Sequence, residues 1–305
     1  MIIKKTSKIL IAFLIVLTFS CKKFLEEEPS VFASPDQILV DASGAELYTV
    51  GNYAQIKVLA SDFDGWLLLW GTIGTDEIVI PNWGASIRSI YLHSFTTSNN
   101  LILNVWRNLY RSINRINSGI ERIDAMNSEQ IDEDLKNKYI GEHKFLRAML
   151  YFSLVSTWEN IPLILEESKS EDIGNFEVSQ SSAKEVYNQI IEDLLFAESV
   201  LNEVQGQGRA TKGAAQALLG KVYLQMTGSP LNETDKYGLA ANKLESVINS
   251  GVYDLVSYYP DLFTVDYEQS EEIVFSIGAA GPGLNQGSNL GTLFGPQGQT
   301  INGGA

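Results

Sequence analysis

The sequence has few of the residues from which common catalytic and metal sites are built. It contains one cysteine and two histidines in 305 residues, so no internal disulfide can form and no histidine-cysteine cluster at metal-ligand spacing is visible. The residues after His143, Lys-Phe-Leu-Arg, do not complete an HExxH zinc motif, and no G-x-S-x-G elbow occurs. Gly281-Pro-Gly283 lacks the third glycine of a dinucleotide fingerprint. We therefore predict no metal, no cofactor and no catalytic residue.

Positive charge is also scarce. Lysine and arginine number 22 against 37 aspartates and glutamates, which gives a net charge of −15 at pH 7. An acidic surface repels phosphate backbones, so we expect no nucleic-acid partner, whereas neutral sugars or peptides meet no such penalty. A glycan-active enzyme stays an alternative, because a glycosidase needs two carboxylates in one cleft and sequence spacing cannot show which acids share one.

Only one long apolar run occurs, over residues 9–19, and it is too short to span a bilayer comfortably. Three lysines lie in the eight residues before it, and the sole cysteine, Cys21, follows it closely. This order is typical of a secretory signal peptide that ends at a lipoprotein cleavage site. We predict a signal peptide over 1–20, lipidation of Cys21 and a flexible acidic tether over 21–34. The alternative is ordinary signal cleavage beside an incidental cysteine.

Helical periodicity dominates the rest of the chain. In residues 139–165, Pro162 ends the helix. Before it, two sets of apolar residues recur every three or four positions: Phe145, Met149, Phe152 and Leu146, Leu150, Leu154. The same spacing predicts helices within 35–60, over 101–125, from the capping box Ser182-x-x-Glu185 to residue 201, and within 208–226 and 234–251. Residues 75–81 predict a short extended run, residues 271–278 predict a strand, and the polar stretch 82–100 predicts a loop.

Several side chains receive specific predictions. Helical spacing predicts that four tryptophans lie in the core, namely Trp66, Trp70, Trp106 and Trp158. His143 is expected on the helix surface or partly buried. We expect the arginines on the polar face of the helix at 101–125 to be solvated or salt-bridged, since acidic residues lie nearby. There are four of them: Arg107, Arg111, Arg115 and Arg122.

The helices recur as pairs, with small residues on the second member. Ala148 and Ala215 are separated by about two periods of the roughly 34-residue tetratricopeptide repeat. We predict an all-α domain over 35–277, a tetratricopeptide-like scaffold of helical hairpins with long loops and minor β, followed by a glycine-rich flexible tail over 278–305. An irregular helical bundle with no repeat origin is the alternative.

Five segments, in this order, resemble the SusD/RagB family of outer-membrane nutrient-binding lipoproteins: CKKFLEEEPS, VWRNLYRSINRIN, GEHKFLRAMLYFSLVSTWENIPL, VYNQIIEDLLFAESVL and GRATKGAAQALLGKVYLQM. The resemblance implies an all-helical, lipid-anchored, surface-exposed protein of the outer membrane. It implies binding of an oligo- or polysaccharide without turnover, and delivery to a SusC-like TonB-dependent barrel transporter. Family members usually continue past this length, so the resemblance also implies a chain shortened at its carboxyl terminus.

The resemblance places the first ligand-contacting region of the family in the polar stretch 82–100. Its implied glycan contacts are Asn82, Trp83, Arg88 and Tyr91, because aromatic faces stack on sugars while amide and guanidinium groups bind hydroxyls. Trp83 tucked against the scaffold is an equally open alternative, since a tryptophan has a large area to bury. The rival functions are a helical scaffold that binds only a protein partner and the glycan-active enzyme.

Overall fold

A computed structural model describes residues 34–61, 73–76, 84–169, 178–206 and 208–278. Its contacts divide the chain into two units, Met1–Gln37 and Ile38–Ala305, and the first is described only over residues 34–37. The described residues form these α-helices: α1 (Pro35–Ile38), α2 (Ala42–Ser61), α3 (Ala85–Tyr91), α4 (Asn100–Asp124), α5 (Glu133–Trp158), α6 (Ala183–Val200), α7 (Lys212–Met226) and α8 (Tyr237–Ile248). Three short 3-10 helices accompany them: Thr234–Lys236, Tyr259–Phe263 and Val265–Tyr267.

Side-chain caps fix where these helices begin. The predicted capping box is present at α6, where the Ser182 hydroxyl accepts from the backbone N–H of Glu185 and the Glu185 carboxylate accepts from that of Ser182. At α2, the Asp41 carboxylate accepts the N–H of Gly44 at 2.9 Å. The helix predicted within 35–60 is consequently two helices, with the boundary at Asp41.

Helix α5 lies at the centre of the main core. It packs against α4 and α6, and Phe145, Leu146, Leu150 and Leu154 are buried there. Burying one such side chain stabilises the fold by about 1.5–3 kcal/mol. The helix ends at Trp158, four residues before the proline that was predicted to stop it.

The helices from α5 to α8 each pack against the next in sequence, as in a stack of helical hairpins. The predicted small contact residues Ala148 and Ala215 are buried. A Cβ atom on Gly220 would lie 2.6 Å from the Leu244 side chain, so glycine is what lets α8 approach α7 this closely. The all-α fold is confirmed.

The structure differs from prediction at residues 271–278, which form no strand. They are an irregular segment whose apolar side chains cover the helices, and the rings of Phe275 and Phe145 meet edge to face at 5.0 Å. A strand requires a partner for its backbone groups, and among the described residues the only bridge joins Ile161 to Ser181. The extended segment predicted over 75–81 is described only at residues 75 and 76.

The stretch 82–100, predicted as a loop, contains helix α3. Its buried face consists of Ile87 and Ile90, one helical turn apart. Two apolar residues among polar ones are too few to show a helical period. Trp106 and Trp158 pack at the edge of the core rather than inside it, with ring centroids 5.1 Å apart. The signal peptide, Cys21, Trp66, Trp70 and the tail from residue 279 fall outside the described residues.

None of the helices in the described ranges combines the length and apolar character needed to cross a membrane.

Candidate functional site

Two of the four predicted glycan contacts lie on α3. Arg88 is exposed, and Tyr91, almost one turn later, is partly buried against the main core. Asn82 and Trp83 are outside the described residues, so the four side chains are not placed as a set. The site therefore stays a prediction.

Asn99 fixes α3 to the start of α4. Its side-chain amide donates to the carbonyl of Ser86 at 2.9 Å and to the hydroxyl of Ser89 at 3.0 Å. Its carbonyl oxygen accepts the backbone N–H groups of Leu101 and Ile102, which caps α4. Because one buried side chain serves both helices, Arg88 and Tyr91 are presented on a rigid support.

A groove of about 450 Å³ runs along α4, between this helix and the segment that follows α5. Trp106 and Tyr110 line it with their rings, whose centroids are 4.9 Å apart at an interplanar angle of 46°. The guanidinium-bearing residues Arg107 and Arg111 line it as well. The groove thus combines aromatic surface with positive charge.

The other side of the groove is residues 162–168, which we call the 162–168 wall. Side chains of α4 and α5 hold its backbone. The Tyr110 hydroxyl donates to the carbonyl of Pro162 at 2.8 Å, and the Tyr151 hydroxyl donates to the carbonyl of Ile164 at 2.6 Å. Asn114 accepts the N–H of Ser168 at 2.6 Å and donates to its carbonyl at 3.3 Å. Asn117 donates to the same Ile164 carbonyl and to that of Glu166. The groove is therefore held open by hydrogen bonds of the protein itself.

The four arginines of α4 fall into two pairs. Arg115 lies over the ring of Tyr48, 5.4 Å from its centroid, and Arg122 forms an ion pair with Glu167. Arg107 and Arg111 are exposed, and no carboxylate of the described residues lies within 4.0 Å of either guanidinium. Two positive charges at the groove therefore have no partner in the described part of the protein.

Sequence reasoning missed this groove, since it assigned Trp106 to the core and the arginines to solvent or to salt bridges. A usable signal was present in the order Trp-Arg-x-x-Tyr-Arg at 106–111. Residues four apart share a helix face, so this order places an aromatic pair beside a cationic pair.

Other arginines are neutralised inside the scaffold. Arg147 binds Asp193 through two hydrogen bonds, of 2.7 and 2.8 Å, and the Asp193 carboxylate is 0% exposed. Arg209 likewise grips the fully buried Glu142 at 2.6 and 2.7 Å and reaches Glu46 at 2.7 Å. These carboxylates are occupied by structural ion pairs.

His143 is fully buried, which contradicts the prediction of a surface or partly buried position. The cause is Gly119 on α4, where a Cβ would lie 2.5 Å from the imidazole Nε2. The ring Nδ1 lies 2.7 Å from the Tyr139 carbonyl and must donate to it, so Nε2 accepts from the Asn52 amide at 2.9 Å. Burial lowers the pKa of His143, the hydrogen bond to the Tyr139 carbonyl partly opposes this, and nearby arginines add to the lowering, so that the pKa is about 4.

Comparison with known proteins identifies the class to which this fold belongs. A SusD-like family model, described as "Starch-binding associating with outer membrane", matches residues 74–224. SusD-like protein P25 of Formosa agariphila is 24% identical over 88% of this chain and 51% of its own length. A SusD superfamily protein from Bacteroides vulgatus superposes with a TM-score of 0.68 at 26% identity, over 78% of this chain and 50% of the other. A structure titled "Laminarin binding SusD-like protein" gives 0.67 at 26% identity, over 77% and 50%.

The chain belongs to the SusD-like family, as the sequence resemblance predicted. It spans about half the length of P25 and of the two solved structures.

Proposed function

We propose that this protein binds a glycan, without converting it, at the outer membrane and delivers it to a TonB-dependent barrel transporter. The family match carries the proposal, because the matching model is described as starch-binding and associating with the outer membrane. The similarity to a laminarin-binding protein supports a polysaccharide ligand. Lipid attached to Cys21 would hold the protein at the membrane surface.

The glycan site that we propose comprises Asn82, Trp83, Arg88 and Tyr91. Its chemistry suits sugars, because aromatic faces cover their apolar C–H surfaces while amide and guanidinium groups bind their hydroxyls. The rigid attachment of α3 supports this proposal, since a preorganised side chain loses less conformational freedom when a ligand binds.

Binding without turnover fits the state of the buried acids. Glycoside hydrolysis needs one carboxyl group as proton donor and a second as nucleophile or base. Glu142 and Asp193 are instead fully buried and hydrogen-bonded to arginines, so neither carboxylate faces a cleft that a sugar could enter.

A titration series tests the proposed site. Laminarin and starch oligosaccharides are titrated into the mature protein and its Trp83→Ala variant by calorimetry, with Tyr259→Ala as an exposed-aromatic control. We expect Trp83→Ala to weaken binding about two- to twelvefold, since one aromatic stack contributes about 0.5–1.5 kcal/mol, and the control to leave it unchanged. Equal affinity of Trp83→Ala and the parent protein would remove Trp83 from the site. Release of shortened sugars would indicate an enzyme.

A protein-binding scaffold is the second candidate, and one observation favours it. Large apolar side chains are exposed at the end of α8 and in the segment after it: Ile248, Leu255, Tyr258, Tyr259 and Phe263. Clustered exposed apolar residues are typical of surfaces that another polypeptide covers. Barrel binding that persists in a protein with no affinity for any glycan would support this candidate.

A further inference from the structure

We infer that the groove along α4 is a second carbohydrate subsite, and that it selects a negatively charged sugar unit such as a uronate or a sulfate ester. The inference rests on the proposed function, because it takes the ligand to be a glycan. The groove is a second location on the protein, distinct from the proposed site of Asn82, Trp83, Arg88 and Tyr91, and its ligand is a negatively charged sugar.

The aromatic side of the groove suits a sugar ring. Trp106 and Tyr110 are partly buried, and both line the open groove. The Tyr110 hydroxyl already donates to the Pro162 carbonyl at 2.8 Å, so its polar group needs no further partner. Both aromatic residues border the open space, so the C–H surfaces of a sugar can pack against them there.

The arginines on one side of the groove favour a negatively charged ligand. Arg107 and Arg111 lie one helical turn apart on an exposed face, in a protein whose net charge is −15. Like charges at this spacing repel one another unless an anion lies nearby. Arg115 and Arg122, on the same helix, have a ring or a carboxylate to contact. A guanidinium binds a carboxylate or sulfate oxygen pair through two parallel N–H donors.

The groove is also preformed. The 162–168 wall is fastened to α4 and α5 by the side chains of Tyr110, Asn114, Asn117 and Tyr151. A ligand would therefore enter an existing space of about 450 Å³, which is within the usual range of about 300–1,000 Å³ for small-molecule sites. Little binding free energy would be lost to ordering the walls.

Ligand pairs that differ only in charge test the inference. Oligogalacturonate is compared with its methyl ester, and a sulfated galactan oligosaccharide with its desulfated form, by calorimetric titration of the mature protein. In at least one of the two pairs, we expect the anionic form to bind at least tenfold more tightly than its neutral counterpart at low salt. This preference should fall as salt is raised.

Substitutions assign the preference to the groove. Arg107→Gln combined with Arg111→Gln should abolish the preference for the anion while changing affinity for the neutral form less than twofold. The matched control, Lys212→Gln with Lys221→Gln, removes the same charge from α7 and should change both affinities less than twofold. Arg107, Arg111 and Lys221 are exposed, and Lys212 is partly exposed with an ion pair to Glu203 at 3.6 Å. Circular dichroism checks that each double variant is folded.

The outcomes separate the inference from the proposed function. If the protein binds the anionic and neutral forms equally, or if the arginine and lysine double variants lose the preference to the same extent, the subsite inference is overturned and glycan binding stands. If the folded protein binds neither these sugars nor the laminarin and starch oligosaccharides, the proposed function is overturned together with the inference.

Discussion

The buried and exposed arginines of this protein differ in what neutralises them. Arg147, on α5, is buried, and Arg209, just before α7, is partly buried. Each binds a carboxylate that is itself fully buried. Arg107 and Arg111 lie at the edge of an open groove with no carboxylate partner in the described residues. A charge removed from water must be matched on site, whereas one in contact with water need not be. The first pair is therefore structural, and the second is available to a ligand.

Breaking the Arg147 ion pair should have the largest effect on stability. In Asp193→Ala, the guanidinium of Arg147 stays buried without its carboxylate, and loss of one partner of a buried pair costs about 3–5 kcal/mol. Urea unfolding followed by circular dichroism measures the change. Arg107→Gln is the matched control, and we expect it to alter the free energy of unfolding by less than about 0.5 kcal/mol. Comparable losses in the two variants would invalidate the distinction between the two pairs of arginines.

Arg209 binds two carboxylates that differ in burial, so burial can be compared within one cluster. Glu142 is 0% exposed and also accepts from the Tyr53 hydroxyl at 2.8 Å, while the Glu46 side chain is 46% exposed. We expect Glu142→Ala to lower the free energy of unfolding by about 3 kcal/mol. Glu46→Ala should lower it by about 1 kcal/mol or less, because water screens that pair. Equal losses, measured by urea unfolding, would show that burial does not set the strength of this cluster.

The buried histidine, His143, makes the free energy of unfolding depend on pH. The folded protein keeps this histidine neutral down to a pKa of about 4, while the unfolded chain takes up the proton near pH 6.5. Stability should therefore fall as the pH drops from about 6.5 towards 4, by up to about 1.4 kcal/mol per unit. Urea unfolding at pH 5 to 6.5 measures this slope, and His143→Gln should flatten it. An unchanged slope in the variant would assign the dependence to other groups.

The fold was predictable because the strongest signals come from buried helices. The stripe on α5 has one apolar period, which identified its buried leucines, and Pro162, four residues after the last helical residue, marked its end. Glu185, three residues after Ser182, likewise specified a cap by local chemistry. Such signals need no knowledge of the rest of the chain.

The remaining errors depend on contacts between distant segments. His143 is buried because Gly119, on another helix, leaves room for the ring, and no local pattern carries that information. The segment 271–278 has a strand-like composition, but its apolar side chains cover helices instead of joining a sheet. The pairing of Trp106 with Arg107 in a groove likewise depends on where the 162–168 wall runs.

The way in which the 162–168 wall is attached has a consequence for how ligand preference can diverge among relatives. Its hydrogen bonds to Tyr110, Asn114, Asn117 and Tyr151 end on main-chain atoms, most of which are carbonyl oxygens, which every amino acid possesses. The side chains of Ile164 and Ser168, which line the groove, contribute none of these bonds. Substitutions there can reshape the groove lining while the backbone keeps its course, so the recognition surface can evolve separately from the scaffold that supports it.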